Sequence, residues 1–291
     1  MREVEVGSMR GSARGLVVVV LGVALGGCAA RATPARTATP VVPVGLEQLN
    51  GVVWMQTAVE YEAAARLAYH AAGLALERAL ADPSWTAATE QTGDFHRLPP
   101  AVVLDVDETV LDNSVHQARL VADGRVYNEP QWNAWCEERA ATAVPGALEF
   151  TRAAAARGVT VFYLTNREAA VKAATRDNLA QLGFPLDPAR DTLLTKGERP
   201  EWAGSEKASR RRFIARDYRI LLLIGDDYGD FSEGARRPLA ERRASAEPHR
   251  SWWGERWFML PNPNYGTWER ALVGPGEDAI AAKRRHLVTG R

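Results

Sequence analysis

Runs of unbroken apolar residues, separated by helical patterns, constrain this fold more than any other feature of the chain. Residues 101–104, 159–164 and 219–224 read as strands that are apolar on both faces apart from Thr160 and Arg219 near their starts, and residues 257–260 form a last apolar run. A strand that is apolar on both faces has to be covered on both. Between the strands lie helical stretches. Residues 145–157 open on Pro145 and Gly146 and stop at Gly158; residues 168–182 stop at Gly183; residues 205–217 begin where Ser205 is placed to cap. Ahead of the first strand, Val52, Met55, Val59, Ala63 and Leu67 recur at spacings of three and four, and Leu74 continues the row. That row predicts one amphipathic helix of about 30 residues. Leu98, Pro99 and Pro100 end it before the strand begins. Alternation of this kind predicts an α/β fold, a parallel sheet with helices on both faces.

In such sheets ligands bind beyond the carboxyl ends of the strands. The first strand is followed there by Asp105-Val106-Asp107-Glu108-Thr109, the second by Thr165-Asn166-Arg167, and the third by Gly225-Asp226-Asp227, with Asp230 one turn later. Gathering carboxylates at one sheet edge is costly, since two unit charges ~4 Å apart repel by ~4 kcal/mol at an effective dielectric near 20. A cation is the economical answer. The five histidines are scattered without ligand spacing, so hard carboxylate oxygens point to magnesium rather than zinc.

These segments resemble the four signatures of haloacid dehalogenase-type phosphatases. Asp105 to Thr109 matches the first, Thr165 the second, Lys207 falls where the third places its lysine, and Gly225-Asp226-Asp227-Tyr228-Gly229-Asp230-Phe231 matches the fourth. The likeness narrows to the lipid-anchored class C bacterial acid phosphatases through residues 54–61, Leu111-Asp112-Asn113-Ser114, Val144-Pro145-Gly146-Ala147 and residues 260–269, covering roughly residues 50–270. It implies a haloacid dehalogenase-like, Rossmannoid fold over residues 46–273, with a small, mostly helical cap that includes residues 109–144. It also implies a magnesium-dependent hydrolysis of small phosphate monoesters.

In that reading Asp105 is the nucleophile and Asp107 the general acid and base. Thr165, the Asn166 backbone and Lys207 hold the phosphoryl oxygens. Asp105, Asp226 and the Asp107 carbonyl bind Mg2+, with Asp230 and Asp227 as supporting acids behind them. Asp227 stands where relatives often carry Asn. Arg167 is read either as a phosphate contact or as a salt-bridge partner of Glu168 or Asp226. Trp132, Trp135 and Tyr265 are candidate aromatic faces for a nucleobase or aryl group, which agrees with nucleoside 5′-monophosphates and aryl phosphates as substrates. A homodimer is an expectation of the resemblance alone.

The N-terminus reads as a leader. Arg10 and Arg14 precede a short apolar run from Leu16 to Gly26, well below the ~20 residues a spanning helix needs. Leu25-Gly26-Gly27-Cys28 looks like a lipoprotein processing box, so residues 1–27 are expected to be removed and Cys28 lipidated. Residues 28–45 then form a tether to the membrane of a bacterial cell envelope, with Ala29 favouring an outer membrane. Residues 274–291 read as a polar tail. Lipidation of Cys28 leaves Cys136 alone and rules out a disulfide framework. Loss of residues 1–27 removes three Arg and two Glu from 36 basic and 36 acidic residues, leaving 33 against 34. That balance argues against a nucleic-acid polymer as partner. Cys136 has no arginine six positions on, and no Arg-His-Gly segment occurs, so cysteine and histidine phosphatase chemistries find no support. A phosphotransferase using the same nucleophile, or a non-catalytic surface lipoprotein on the same scaffold, are the remaining alternatives.

Overall fold

The last four residues of the first strand alternate between two separate cores. In β1 (Pro100–Leu104), Val102 and Leu104 join one apolar cluster, whereas Ala101 and Val103 join the other. The computed structural model describes residues 46–274 and 276–290; the leader, Cys28 and the tether expected before residue 46 lie outside them. β1 is the middle of a five-stranded parallel sheet. Its neighbours are β4 (Thr160–Glu168) and then β5 (Leu193–Lys196) on one side, with β6 (Arg219–Gly225) and then β7 (Trp257–Met259) on the other. The expected architecture is therefore present. β5 is a strand that the apolar pattern does not reveal, because it is only four residues long and carries Thr195 and Lys196.

One face is covered by α2 (Val59–Ala81) and α5 (Ala147–Ala156), whose Tyr69 and Phe150 rings meet at 5.6 Å, while α1 (Leu49–Thr57) precedes α2 and packs against α3 (Ser114–Asp123). The opposite face is covered by α7 (Ala208–Ala215), with Ile214, Trp202 and Phe231 in its cluster. A cap rises from the carboxyl edge. It consists of α3 (Ser114–Asp123) and α4 (Glu129–Glu138), tied at the base by a short antiparallel ribbon of β2 (Leu111–Asp112) and β3 (Thr142–Ala143). The connection from β4 to β5 runs through α6 (Lys172–Leu182), closed by Gly183 at φ +83°. After β6 come α8 (Leu239–Ala246), α9 (Thr267–Arg270) and α10 (Ala279–Arg285).

Four expectations require correction. The single N-terminal helix is broken at Ala58, which is extended at φ −87°, ψ 129°. The break resets the helical phase, so the apolar row does not continue into α2. Tyr61, Ala65, Tyr69, Ala72, Leu76 and Ala79 face the sheet, while Val59, Leu67 and Leu74 are 76%, 67% and 60% exposed. Small Ala side chains at the buried positions let the helix lie close to the strands. Secondly, β4 does not stop at residue 164 but runs on to Glu168, so α6 begins only at Lys172, after a 3-10 turn over Ala169–Val171. Thirdly, α7 begins at Ala208 with Lys207 as its first flanking residue and no side-chain cap, so Ser205 does not serve that role. Finally, residues 274–291 are not simply a tail. Asp278 caps α10 by accepting from the Ala281 N–H at 2.7 Å, and Lys283 pairs with Glu269.

Gly146 illustrates how tightly α5 is seated. It adopts φ +89°, and a Cβ there would stand 3.2 Å from the Tyr69 side chain, so another residue would be strained in its backbone and press on Tyr69 of α2.

Candidate active site

Asp105 is held where β1 leaves the sheet, its N–H donating to the Ile224 carbonyl of β6 at 3.0 Å. Asp226 follows the end of β6, and Asp230 closes the 3-10 turn Tyr228–Asp230. Oxygens of Asp105, Asp226 and Asp230 all lie within 4.8 Å of one another. Lys207 enters from the start of α7, and its buried ammonium pairs with both Asp105 and Asp230, the latter at 2.6 Å. Burial pushes the Asp105 carboxyl up to about 7, with Lys207 pulling it back down and the Asp230 and Asp107 charges raising it. Burial likewise lifts Asp226 well above the usual carboxylate range, assisted by the Asp230 and Asp105 charges. Burial also works against the Lys207 ammonium, but the two carboxylates outweigh it and hold its pKa above that of an ordinary lysine.

Three carboxylates facing one ammonium at the floor of a cavity leave surplus negative charge that a partly buried site solvates poorly. Their donor set, all hard oxygens at one point, fits a divalent hard cation. Asp226 is oriented for such a role by the Asn262 amide at 2.8 Å and the Thr109 hydroxyl at 3.2 Å. Asp230 stands beside Asp105 and Asp226 in the cluster rather than behind it.

Asp227 turns the other way. Its carboxylate accepts from the Gly229 N–H at 2.7 Å, the Thr267 N–H at 2.6 Å and the Thr267 hydroxyl at 2.7 Å. It therefore fastens the fourth segment to the start of α9 and contributes no oxygen to the cluster.

Asp107 belongs to a second network. Its Oδ1 accepts from Arg167 Nε at 2.9 Å and Asn113 Nδ2 at 3.0 Å, and its Oδ2 accepts from the Thr165 hydroxyl at 3.2 Å. Arg167 thus pairs with Asp107, not with Glu168 or Asp226 as the sequence reading allowed. Burial opposes the Arg167 charge, and the Asp107 carboxylate more than compensates. Thr165 is fully buried, and its hydroxyl is engaged with Asp107 and with the Arg167 N–H at 3.0 Å. Asn166 borders the cavity. Its side chain and the Thr165 carbonyl are both held by the buried Arg210 guanidinium, the amide oxygen at 2.6 Å.

Glu108 lies fully buried behind this network and takes a left-handed φ of 55°, unusual for a side chain that is not Gly, Asn or Asp. Its carboxyl accepts from the Asn113 N–H at 3.1 Å and from the Tyr265 hydroxyl. Burial pushes its pKa well above the usual range, with Asp107 and Asp112 adding to the effect.

The carboxylates open into a cavity of about 550 Å³ between the sheet edge and the cap. Trp132 and Tyr265 line it, and Tyr127 adds a further aromatic at its rim. Trp135 does not belong there. It is 2% exposed, absent from the cavity wall, and its indole N–H donates to Asn113 Oδ1 at 2.8 Å. The stacking role expected of Trp135 is thus corrected to a structural one, because the polar edge of its ring is committed to the network that surrounds Asp107.

Arg210, Asn113, Glu108 and Asn262 are the site residues that sequence reasoning missed. Glu108 follows Asp107 directly and Asn113 comes six residues on, so their proximity was available as a signal. Arg210 lies on α7 one turn after Lys207, and Asn262 within the 260–269 segment, so their neighbourhood was marked although their own contacts were not.

A match to the family described as the haloacid dehalogenase superfamily, subfamily IIIB (acid phosphatase), spans residues 29–268. Among solved structures, the chain is similar to the class C acid phosphatase from Bacillus anthracis. The TM-score is 0.73 at 31% identity, over 85% of this chain and 99% of that one. The tungstate-bound structure of the class C acid phosphatase from Bacillus anthracis is matched at 30% identity with the same TM-score and coverage. Among curated relatives, acid phosphatase 1 of Solanum lycopersicum is 27% identical over 164 residues, and a stem 31 kDa glycoprotein of Glycine max is 25% identical over 166. These two alignments take in 56% of the chain and span only 57% and 58% of the respective relatives.

Proposed function

The chain belongs to the acid phosphatases of haloacid dehalogenase subfamily IIIB, and on that premise we propose that it is a magnesium-dependent phosphomonoesterase working through a phosphoaspartate at Asp105. The observation that carries this reading is the buried Asp105 at the carboxyl end of the central strand, ion-paired to Lys207 and grouped with Asp226 and Asp230 at the floor of an open cavity. The tungstate-bound relative supports an oxyanion as the natural occupant of such a floor.

A phosphate monoester resists attack because its oxygens are negative and its leaving alkoxide is poor. The Asp105 carboxylate attacks phosphorus, the bond to the ester oxygen breaks, and Asp107 donates a proton to that departing oxygen. Asp107, now ionised, removes a proton from the water that attacks the phosphoaspartate, releasing phosphate and restoring Asp105. Lys207 neutralises charge beside Asp105 throughout, and the Asn166 backbone steadies a phosphoryl oxygen, while the Thr165 hydroxyl can reach one only by leaving Asp107 Oδ2. Magnesium, held by Asp105, Asp226 and the Asp107 carbonyl with Asp230 in support, would supply positive charge that screens the nucleophile from the substrate.

Trp132 and Tyr265, with Tyr127 at the rim, favour substrates with a flat leaving group, namely nucleoside 5′-monophosphates and aryl phosphates. The likeness of residues 1–28 to a lipoprotein leader supports a lipid anchor at Cys28 in a bacterial cell envelope. Phosphate release by the purified protein and its Asp105→Asn variant, with and without magnesium, tests the chemistry. Activity that survives either the substitution or thorough chelation would refute it. Fatty-acid labelling of the wild type but not of Cys28→Ser tests the anchor.

A further inference from the structure

Arg167 is a cation that the chemistry above leaves unused, although it is only 1% exposed. It lies on the part of β4 that continues past Thr165. Its guanidinium is committed on every edge: Nε and Nη2 to Asp107 Oδ1 at 2.9 and 2.8 Å, Nη2 also to Asn113 Oδ1 at 3.1 Å, and Nη1 to Thr175 Oγ1 at 3.2 Å. Trp132 covers it, with the guanidinium carbon 5.4 Å from the ring centroid. Asn113 is fixed in turn by Trp135, so the fork that reaches Asp107 cannot swing.

The two oxygens of Asp107 are consequently unlike each other. Oδ1 is filled by donors from Arg167 and Asn113, and a proton placed there would meet N–H groups that cannot accept it. Oδ2 meets the Thr165 hydroxyl, which is able to donate or accept. We propose that Arg167 is a positioning residue for Asp107: it pins Oδ1 and fixes the carboxyl plane, leaving Oδ2 as the oxygen that hands its proton to the leaving group. The inference rests on the acid role of Asp107 given above. It assigns Arg167 no contact with the phosphoryl group.

The test is the dependence of kcat/KM on the leaving group, measured with 4-nitrophenyl, phenyl and simple alkyl phosphates under saturating magnesium. A 4-nitrophenolate departs with little help from an acid, whereas an alkoxide needs a proton as the bond breaks. Asp107→Asn should lose about 10²-fold or more on the alkyl ester and far less on the nitrophenyl ester. Arg167→Met should show the same slope, with a loss of about 10²-fold on the alkyl ester and only a few-fold on the nitrophenyl ester. Arg167→Lys keeps the charge but not the fork, and should recover part of the alkyl-ester rate. Thr175→Val removes one support of the guanidinium at nearly constant volume and should tilt the slope in the same direction, by less.

A uniform loss across the esters, or a rise in KM with kcat unchanged, would make Arg167 a phosphate contact or a plain fold residue and overturn the inference alone. An Asp107→Asn variant without leaving-group selectivity would overturn the acid role and this inference with it. A wild type that turns over no ester would overturn the phosphatase reading itself. Thr175→Val decides the matter should Arg167→Met not fold: a flat loss in that variant overturns the inference, and a tilted one supports it.

Discussion

Replacing Lys207 by Met takes away the ammonium between Asp105 and Asp230 and leaves both carboxylates buried. Removing one partner of a buried pair costs ~3–5 kcal/mol, because the remaining charge has lost its partner and cannot regain water. For a domain of this size that is a fall of about 6–20 °C in Tm. The loss should depend on pH, and its sign follows from Asp105. Burial raises its folded pKa to about 7, above the ordinary 3.8, so its contribution to stability is complete at low pH and disappears as pH rises through about 7. Without Lys207 the carboxyl is harder still to ionise, and the decline extends to higher pH. Melting curves in chelating buffer should therefore show the variant far below wild type at about pH 8 and much closer to it at about pH 5, where Asp105 is protonated in both folded proteins. A gap of equal size at the two pH values, or no gap at the higher one, would refute the account of the charge cluster.

Three further outcomes can be checked separately. Glu108→Gln removes a carboxyl whose folded pKa is raised by burial, and whose stabilising effect is therefore lost as pH rises above its ordinary value of 4.5; the Tm of the variant minus that of wild type should increase between about pH 5 and pH 8, and a constant difference would count against it. Asn262→Ala deletes the amide that orients Asp226 and should weaken magnesium activation by about 10–100-fold in a metal titration, with little change in Tm. Gly146→Ala combines a disfavoured φ of +89° with a Cβ pressed on Tyr69, and should lower stability by about 1–3 kcal/mol in urea denaturation without altering KM.

Asp105 and Asp226 were legible because a parallel sheet presents whatever follows its strands at a single edge, whereas Lys207, at the start of a helix, was legible only through the family resemblance. The cap, an insertion between the first and second strands, was expected only through the resemblance. The pairing of Arg167 was not legible, since its partner depends on β4 running four residues beyond its apolar stretch, a continuation that hydrophobicity does not mark. The face of α2 was misjudged because counting large apolar residues favours Val59, Leu67 and Leu74, whereas close approach to the sheet is achieved by Ala65, Ala72 and Ala79. Trp135 looked like a platform because an aromatic residue in a cap can either stack on a ligand or hold its own scaffold, and only the hydrogen bond to Asn113 separates the two.

The segment between Asn262 and Thr267 grips the site in three places: Asn262 on Asp226, Tyr265 on Glu108, and Thr267 on Asp227. Its consequence concerns the order in which the chain is made. Asp226 is synthesised 36 residues before the amide that orients it, and Glu108 precedes the hydroxyl it binds by 157. Contacts spanning such separations close late in folding. A chain that ends before Thr267 accordingly carries Asp105 and Asp107 without all three of the contacts that brace the site, and should show no phosphate release.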